Sequence, residues 1–206
     1  HCFVYSEDQA PIFFPKYTKL HKIKIGKPTA ANFSPTTKED FLFQCARNDE
    51  TMNTIETVKL CNKYGIRGFF AGPILKDYPL LNYIDNKNTF YIGIVSEEHK
   101  LFYSKTARLY GCIQNWDTIF SLSAIEALGQ GTPIVARNRG CFRHLIEDGE
   151  NGFFYDGNPD SFLRIWERSL KINQWKCYNK ALEYSDLEMV KSFKFAFEEI
   201  LNGNHL

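Results

Sequence analysis

The sequence predicts an α/β fold, a doubly wound parallel sheet with a helical C-terminal tail. Short runs rich in Phe, Ile, Val and Leu alternate with longer stretches of helical periodicity. These runs are apolar throughout, as strands covered on both faces must be, instead of alternating apolar with polar residues. Gly and Pro sit at the junctions, where regular structure has to stop.

The first forty residues are irregular, with Pro11, Pro15, Pro28 and Pro35 punctuating Ile12-Phe13-Phe14 and the run Lys22-Ile23-Lys24-Ile25-Gly26. Asp40 to Ala46 reads as a buried strand. Thr54 to Tyr64 carries apolar residues at Ile55, Val58 and Leu60-Cys61, a helical spacing that Gly65 ends. Gly68 to Gly72 is a short strand closed by Pro73, and Thr89 to Gly93 is another. Ser96 caps a helix running to about Ala107, because its hydroxyl accepts from exposed amides while Glu97 and Glu98 suit the positive end. Leu109 to Ile113 is a strand. A helix around Glu126, a strand from Pro133 to Ala136, a helix near Phe142 to Ile146 and a strand from Gly152 to Tyr155 follow. Two or three helices fill Asp160 to Leu201. The expected division is an irregular segment with the first strand of the domain over 1–38, the sheet domain over 39–172 and C-terminal helices over 173–206.

Composition narrows the function classes. With 206 residues, the chain fits one domain of ordinary core size. A net charge of +1 gives no long-range attraction to nucleic acid or an anionic membrane, so neither is an expected partner. The 18 Phe and 11 Tyr fit a thick core better than a stacking platform. Six cysteines, widely spaced and without a C-x-x-C, read as buried free thiols in a reducing compartment, so a cytoplasmic location is expected. No apolar run reaches membrane-spanning length, and no signal peptide opens the chain. A start at His1 suggests that a segment was removed or precedes this one.

In parallel sheets of this kind the ligand crevice lies beyond the carboxyl ends of the strands, so loops after Ala46, Gly72, Gly93, Ile113 and Ala136 are the candidate walls. The loop Gln114-Asn115-Trp116-Asp117-Thr118-Ile119 leaves one such end and opens a helix near Ser121. First-turn amides at Ser121, Leu122 and Ser123 would face the crevice with the positive end of the helix dipole, an arrangement suited to a diphosphate.

The order Phe120 to Gly129, then Gly131-Thr132-Pro133, then Glu147-Asp148-Gly149-Glu150-Asn151-Gly152, resembles the C-terminal, donor-binding half of a GT-B retaining glycosyltransferase of family 4. The resemblance spans roughly Ile23 to Leu170. It implies a Rossmann-like domain that binds a nucleoside diphosphate sugar, with no cofactor and no obligatory metal, and the absence of an Asp-x-Asp agrees with this. It implies transfer of a hexose to an acceptor hydroxyl with retention. It also implies a second, N-terminal Rossmann-like acceptor domain, either missing from this chain or supplied in trans.

The family's ribose-binding glutamate falls on Glu126, and a carboxylate can accept both hydroxyls of a vicinal diol. The glutamate beside the donor sugar, eight positions earlier, falls on Thr118. Its neighbour Asp117 either reaches that space or caps local backbone. The diphosphate-binding arginine falls on Arg47, whose other reading is a salt bridge to Asp49 or Glu50. A lysine five residues on, a second counter-charge, is Met52 here; Lys24 or Lys27 could substitute. Gly93 and Ile94 match the backbone element that meets the base, although Gly93 also reads as a turn. Gly140 would allow close backbone approach to a sugar or phosphate, and Arg143-His144 stand where the family has Pro-Glu. The losses at Thr118, Met52 and His144 keep open a non-catalytic or degenerate member that binds the nucleotide sugar without turning it over.

Overall fold

The computed structural model describes residues 2–4, 20–27 and 33–202. The prolines expected to break up the N-terminal stretch at Pro11, Pro15 and Pro28 lie outside the described residues, as does the side chain of Cys2. Two short strands, β1 (Cys2–Val4) and β2 (Leu20–Lys22), pair in parallel as a separate two-stranded sheet. The run Lys22 to Gly26 begins in β2 and contributes no strand to the main sheet. Only its first residue is extended, and that residue pairs elsewhere.

The main sheet has six strands, all parallel: β3 (Glu39–Cys45), β4 (Arg67–Ala71), β5 (Thr89–Tyr91), β6 (Ala107–Cys112), β7 (Ile134–Ala136) and β8 (Gly152–Phe154). Their spatial order is β5-β4-β3-β6-β7-β8. The chain builds outward from β3 to one edge, then returns to β3's other side and builds to the opposite edge. This is the Rossmann order, and it places the topological switch point between β3 and β6. Helices link the strands: α1 (Thr54–Tyr64), α2 (Glu97–Thr106), α3 (Leu122–Gly129) and α4 (Phe142–Leu145), followed by α5 (Pro159–Ser169), α6 (Gln174–Leu182) and α7 (Asp186–Leu201). A 3-10 turn at Leu80–Tyr83, which the sequence pattern did not suggest, precedes β5.

The period-2 alternation of strand side chains divides the core between the two faces of the sheet. Phe41, Phe43, Tyr110, Ile134 and Ala136 bury against α3, α4 and α6, through Ile125, Leu128, Phe142 and Ala181. Leu42, Phe70, Leu109, Val135 and Phe153 bury against α1 and α5, through Val58, Cys61, Phe162 and Ile165. Burial of each such Leu, Ile or Phe contributes roughly 1.5–3 kcal/mol, and double coverage explains why the strands read as apolar throughout. The helix ends follow the sequence. Ser96, Asn158, Asn173 and Ser185 each accept a first-turn amide on a side-chain oxygen, and Gly65 ends α1 at φ 65°. The C-terminal helices are part of the core, since Cys177 and Ala181 of α6 are fully buried.

One charged group stands at the base of this packing. Lys38 sends its ammonium to Thr132 Oγ1 (2.6 Å), Lys105 O (2.7 Å) and Gln130 O (3.3 Å), tying together the ends of α2, α3 and the entrance to β7. Desolvation lowers its pKa to about 8, the effect of nearby Cys177 opposing and that of Lys105 assisting. The folded-state value lies below the unfolded one, so between about pH 8 and 10.5 the unfolded chain binds the extra proton and stability rises with pH. Chemical denaturation of the wild type and Lys38→Met from pH 7 to 10.5 should show this as a stability of the wild type relative to Lys38→Met that rises with pH, the buried thiols and Tyr110 acting alike in both proteins. Parallel pH profiles for the two proteins would show that burial of Lys38 carries no such cost.

Candidate functional site

The carboxyl ends of β3 and β6, at the switch point, open into a cavity of about 560 Å³. Its floor is Gln44, Cys45, Gly111 and Cys112, and its walls come from the loops after β3 and β6 and from the first turn of α3. The hydroxyl of buried Tyr110 holds the two strand ends together, donating to Cys45 O (2.9 Å) and accepting from Cys45 N (3.2 Å). A Cβ at Gly111 would stand 2.9 Å from Gln44 Oε1, so a side chain there would displace the end of Gln44. Gln44 is itself fixed by donating to Thr54 Oγ1 at 3.1 Å.

Five of the residues singled out by sequence meet in this cavity: Arg47, Thr118, Ser121, Leu122 and Ser123. Ser121 precedes α3 with no side-chain hydrogen bond to its first turn. The amides of Leu122 and Ser123 therefore lack a side-chain cap at the end where an anion is stabilised. Arg47 is half exposed and donates from Nε to Asp49 Oδ2 at 2.6 Å, so the arginine both lines the cavity and makes the local salt bridge. Desolvation pushes the Asp49 carboxyl up. Hydrogen bonds from Thr51, the Met52 amide and Arg47 outweigh it and hold Asp49 below the usual range. Met52, where the resembled family has lysine, puts a thioether on the wall.

Thr118 is buried and donates its hydroxyl to Phe120 O at 3.1 Å. Asp117 is 63% exposed and lies off the cavity wall. It accepts from the Gly140 amide at 2.9 Å and stands 3.6 Å from Arg139 Nε. Asp117 thus binds backbone, but the amide it holds belongs to another loop and not to its own turn. Cys141 N also donates to Thr118 O at 2.8 Å, so the loop after β6 is tied at two points to the loop after β7. Gly140 is needed for this approach: at φ 53°, a Cβ would stand 2.6 Å from Thr118 O. Its place is thus against protein backbone. Gly93, at φ 75°, accepts from Gly72 N at 2.9 Å at the carboxyl end of β5, with Ile94 exposed beside it; both lie on the edge-strand side of the cavity and are not part of its wall.

Glu126 stands one turn behind the cavity residue Ser123 on the same face of α3. Its side chain is only 7% exposed. Lys27 pairs with Oε1 and Lys100 with Oε2 at 2.9 Å, and both lysines also pair with Glu97, at 3.3 and 2.7 Å. Lys24 instead pairs with Glu188 at 3.8 Å. Sequence reasoning missed Lys100 because a lysine within an exposed-looking helix carries no local sign of a distant partner. It also missed Gln44, Cys45 and Phe120 as cavity residues, although the loops after Ala46 and Ile113 had located the crevice. Among the described residues, Cys45, Cys61, Cys112, Cys141 and Cys177 are free thiols, no group of His, Cys, Asp or Glu is placed to hold a metal, and no helix is long and apolar enough to cross a membrane.

The fold recurs in solved structures. AviGT4, a glycosyltransferase involved in avilamycin A biosynthesis, superposes with a TM-score of 0.79 at 20% identity over 98% of this chain. Sucrose-phosphate synthase of Thermosynechococcus elongatus gives 0.80 at 15% identity over 98%. Anabaena HepE in complex with UDP-glucose gives 0.74 at 15% identity over 97%. The chain spans 64%, 59% and 63% of these three proteins respectively, so each is a larger molecule. At these identities the likeness establishes the fold, a Rossmann-like half of the GT-B architecture. No curated protein matches the chain.

The loop tie gives a direct prediction. Gly140→Ala should destabilise the protein by about 1–3 kcal/mol through backbone strain and the clash with Thr118, seen as a lowered Tm. An unchanged Tm would mean that the two loops are not held together as described.

The family model described as "Glycosyl transferases group 1" matches residues 75–184, more than half of the sequence and including the helix that carries Glu126, and this chain belongs to that family.

Proposed function

We propose that this chain is the donor-binding half of a retaining glycosyltransferase, which holds a nucleoside diphosphate sugar for transfer of its hexose to an acceptor hydroxyl. The observation that carries the reading is the cavity at the switch point, where Arg47 and the first turn of α3 converge. An arginine and uncapped helix amides together form an anion site, and fixed dipoles aimed at a leaving diphosphate are the electrostatic help such a reaction needs. In this reading Arg47 turns from Asp49 to the diphosphate, Leu122 and Ser123 offer amides, Thr118 stands beside the sugar, Gly93 and Ile94 meet the base, and Glu126 takes the ribose. Asp117 and Gly140 keep the Thr118 loop in place. The nucleotide is bound without an obligatory metal, its charge met by Arg47 and the helix.

A second, acceptor-binding domain completes the site, either in the same polypeptide or in trans. Two observations support it: each neighbour is longer than this chain, and α7 exposes Leu187, Val190, Phe195, Phe197 and Leu201. These apolar side chains on a terminal helix suit an interface with that domain. The free thiols and the low net charge support a cytoplasmic setting with no nucleic acid partner. One observation favours a degenerate relative that binds without turnover. Thr118 offers a hydroxyl already bonded to Phe120 O where the resembled family has a carboxylate, and Met52 removes a cation.

Calorimetry with UDP, GDP, ADP, their common sugar conjugates and inorganic diphosphate tests the reading. One nucleoside diphosphate should bind in preference to inorganic diphosphate and equally well with EDTA present. Arg47→Ala and Glu126→Ala should each weaken it about tenfold or more, as expected for loss of a hydrogen bond to a charged group. Equal binding of inorganic diphosphate, or none by any nucleotide, would contradict the donor site. Turnover once the acceptor half is supplied separates the enzyme from the degenerate form.

A further inference from the structure

The ion network around Glu126 has a consequence for how the donor is held. Glu126 is almost wholly buried, yet each of its oxygens already carries an ammonium, Lys27 on Oε1 and Lys100 on Oε2. The three charged groups come from separate parts of the chain: the segment before the main sheet, α2 and α3. Glu97 closes the ring, pairing with both lysines. The network lies directly behind the cavity wall. Ile25, two residues from Lys27, lines the cavity, as does Ser123, one turn from Glu126. Lys100 and Glu97 also act electrostatically on the cavity residue Cys45, whose thiol is pushed up first by desolvation.

A carboxylate has about four lone-pair sites on its two oxygens. One ammonium on each leaves one or more sites per oxygen, in a fixed plane, and two parallel acceptors are what a vicinal diol needs. A buried glutamate without such braces would be free to rotate about its side-chain torsions. We infer that Lys27 and Lys100 are positioning residues for the donor ribose, bracing the Glu126 carboxylate so that both of its oxygens face the nucleotide diol. This rests on the donor-site reading above.

Lys27 gives the arrangement a second property. Its own amide donates to Tyr184 O at 2.9 Å, and Lys27 forms a bridge with Ser185 at the junction of α6 and α7. Gly26 packs so closely on the Ser185 backbone that a Cβ there would collide with it. One brace of the ribose acceptor is therefore carried by the segment that enters the domain, anchored where α7 begins. Ribose recognition thus depends on how that entering segment is seated.

The test compares UDP, GDP and ADP with their 2′,3′-dideoxy counterparts by calorimetry, using the wild type, Lys27→Met, Lys100→Met and the matching Lys→Arg variants. In the wild type, the preferred nucleoside diphosphate should bind about tenfold or more tighter than its dideoxy form. In each Met variant this ratio should fall to about two or less while dideoxy binding stays the same, which also shows that the variant is folded. Arginine should restore most of the ratio. Equal weakening of ribo and dideoxy forms would overturn the inference, because the lysines would then be serving the diphosphate. An unchanged ratio in both Met variants would overturn it as well while leaving the donor site standing. Absence of any ribose preference in the wild type would remove the donor-site reading and the inference together.

Discussion

The structure depends on one topological constraint: β3 and β6 lie side by side, but the chain leaves them toward opposite faces of the sheet. Connections from β3 through α1 pack on one face and those from β6 through α3 on the other. Nothing can cross between the two strand ends, so a crevice is unavoidable there. The two hydrogen bonds between the Tyr110 hydroxyl and the Cys45 backbone keep the strand ends level, and the small residue at Gly111 leaves the space open. The chemistry of the cavity follows from what the two outgoing loops bring, an arginine from one and a helix N-terminus from the other.

The electrostatics are arranged in two shells of different character. At the cavity wall, Arg47 is half exposed and shares its charge with Asp49, an exposed pair of modest strength that a ligand phosphate could exchange for itself. Behind the wall, the buried Glu126 carboxylate pairs with two partly buried lysines. Removing one partner of such a set is costly, because it leaves a charge in a poorly solvated place. The outer shell is thus suited to exchange and the inner one to holding a fixed geometry. Met52 leaves the outer shell with one cation fewer than the resembled family pattern.

Much of this was legible in the sequence. The strands and helices of the main sheet lie within one or two residues of where apolar runs, caps and glycines put them, because double burial gives a strong signal and Ser96, Asn158 and Gly65 act locally. The 3-10 turn at Leu80 was not legible, since Asn82 and Tyr83 carry no periodicity over so short a length. Lys22, within the stretch that the sequence left irregular, belongs to β2; which strand it pairs with is a tertiary matter that composition does not encode. At the site, the placing of Arg47, Thr118 and the start of α3 on the crevice was readable because they belong to the connections that leave β3 and β6. The Lys27–Glu126–Lys100 set was not, because its members, up to 99 positions apart, are brought together only once the sheet is formed. Asp117 shows the same limit: its carboxylate serves the Gly140 amide, 23 residues away, instead of its own turn.

The central claim, that the switch-point cavity receives the nucleotide, is tested most directly by hydrogen–deuterium exchange with and without saturating UDP, GDP or ADP. The account predicts slowed exchange in the peptides covering residues 44–52 and 111–123, with little change at the amino ends of the strands. Protection confined to the opposite end of the sheet, where Arg67, Lys87 and Arg108 line another cavity, would contradict it, as would no protection by any of the three.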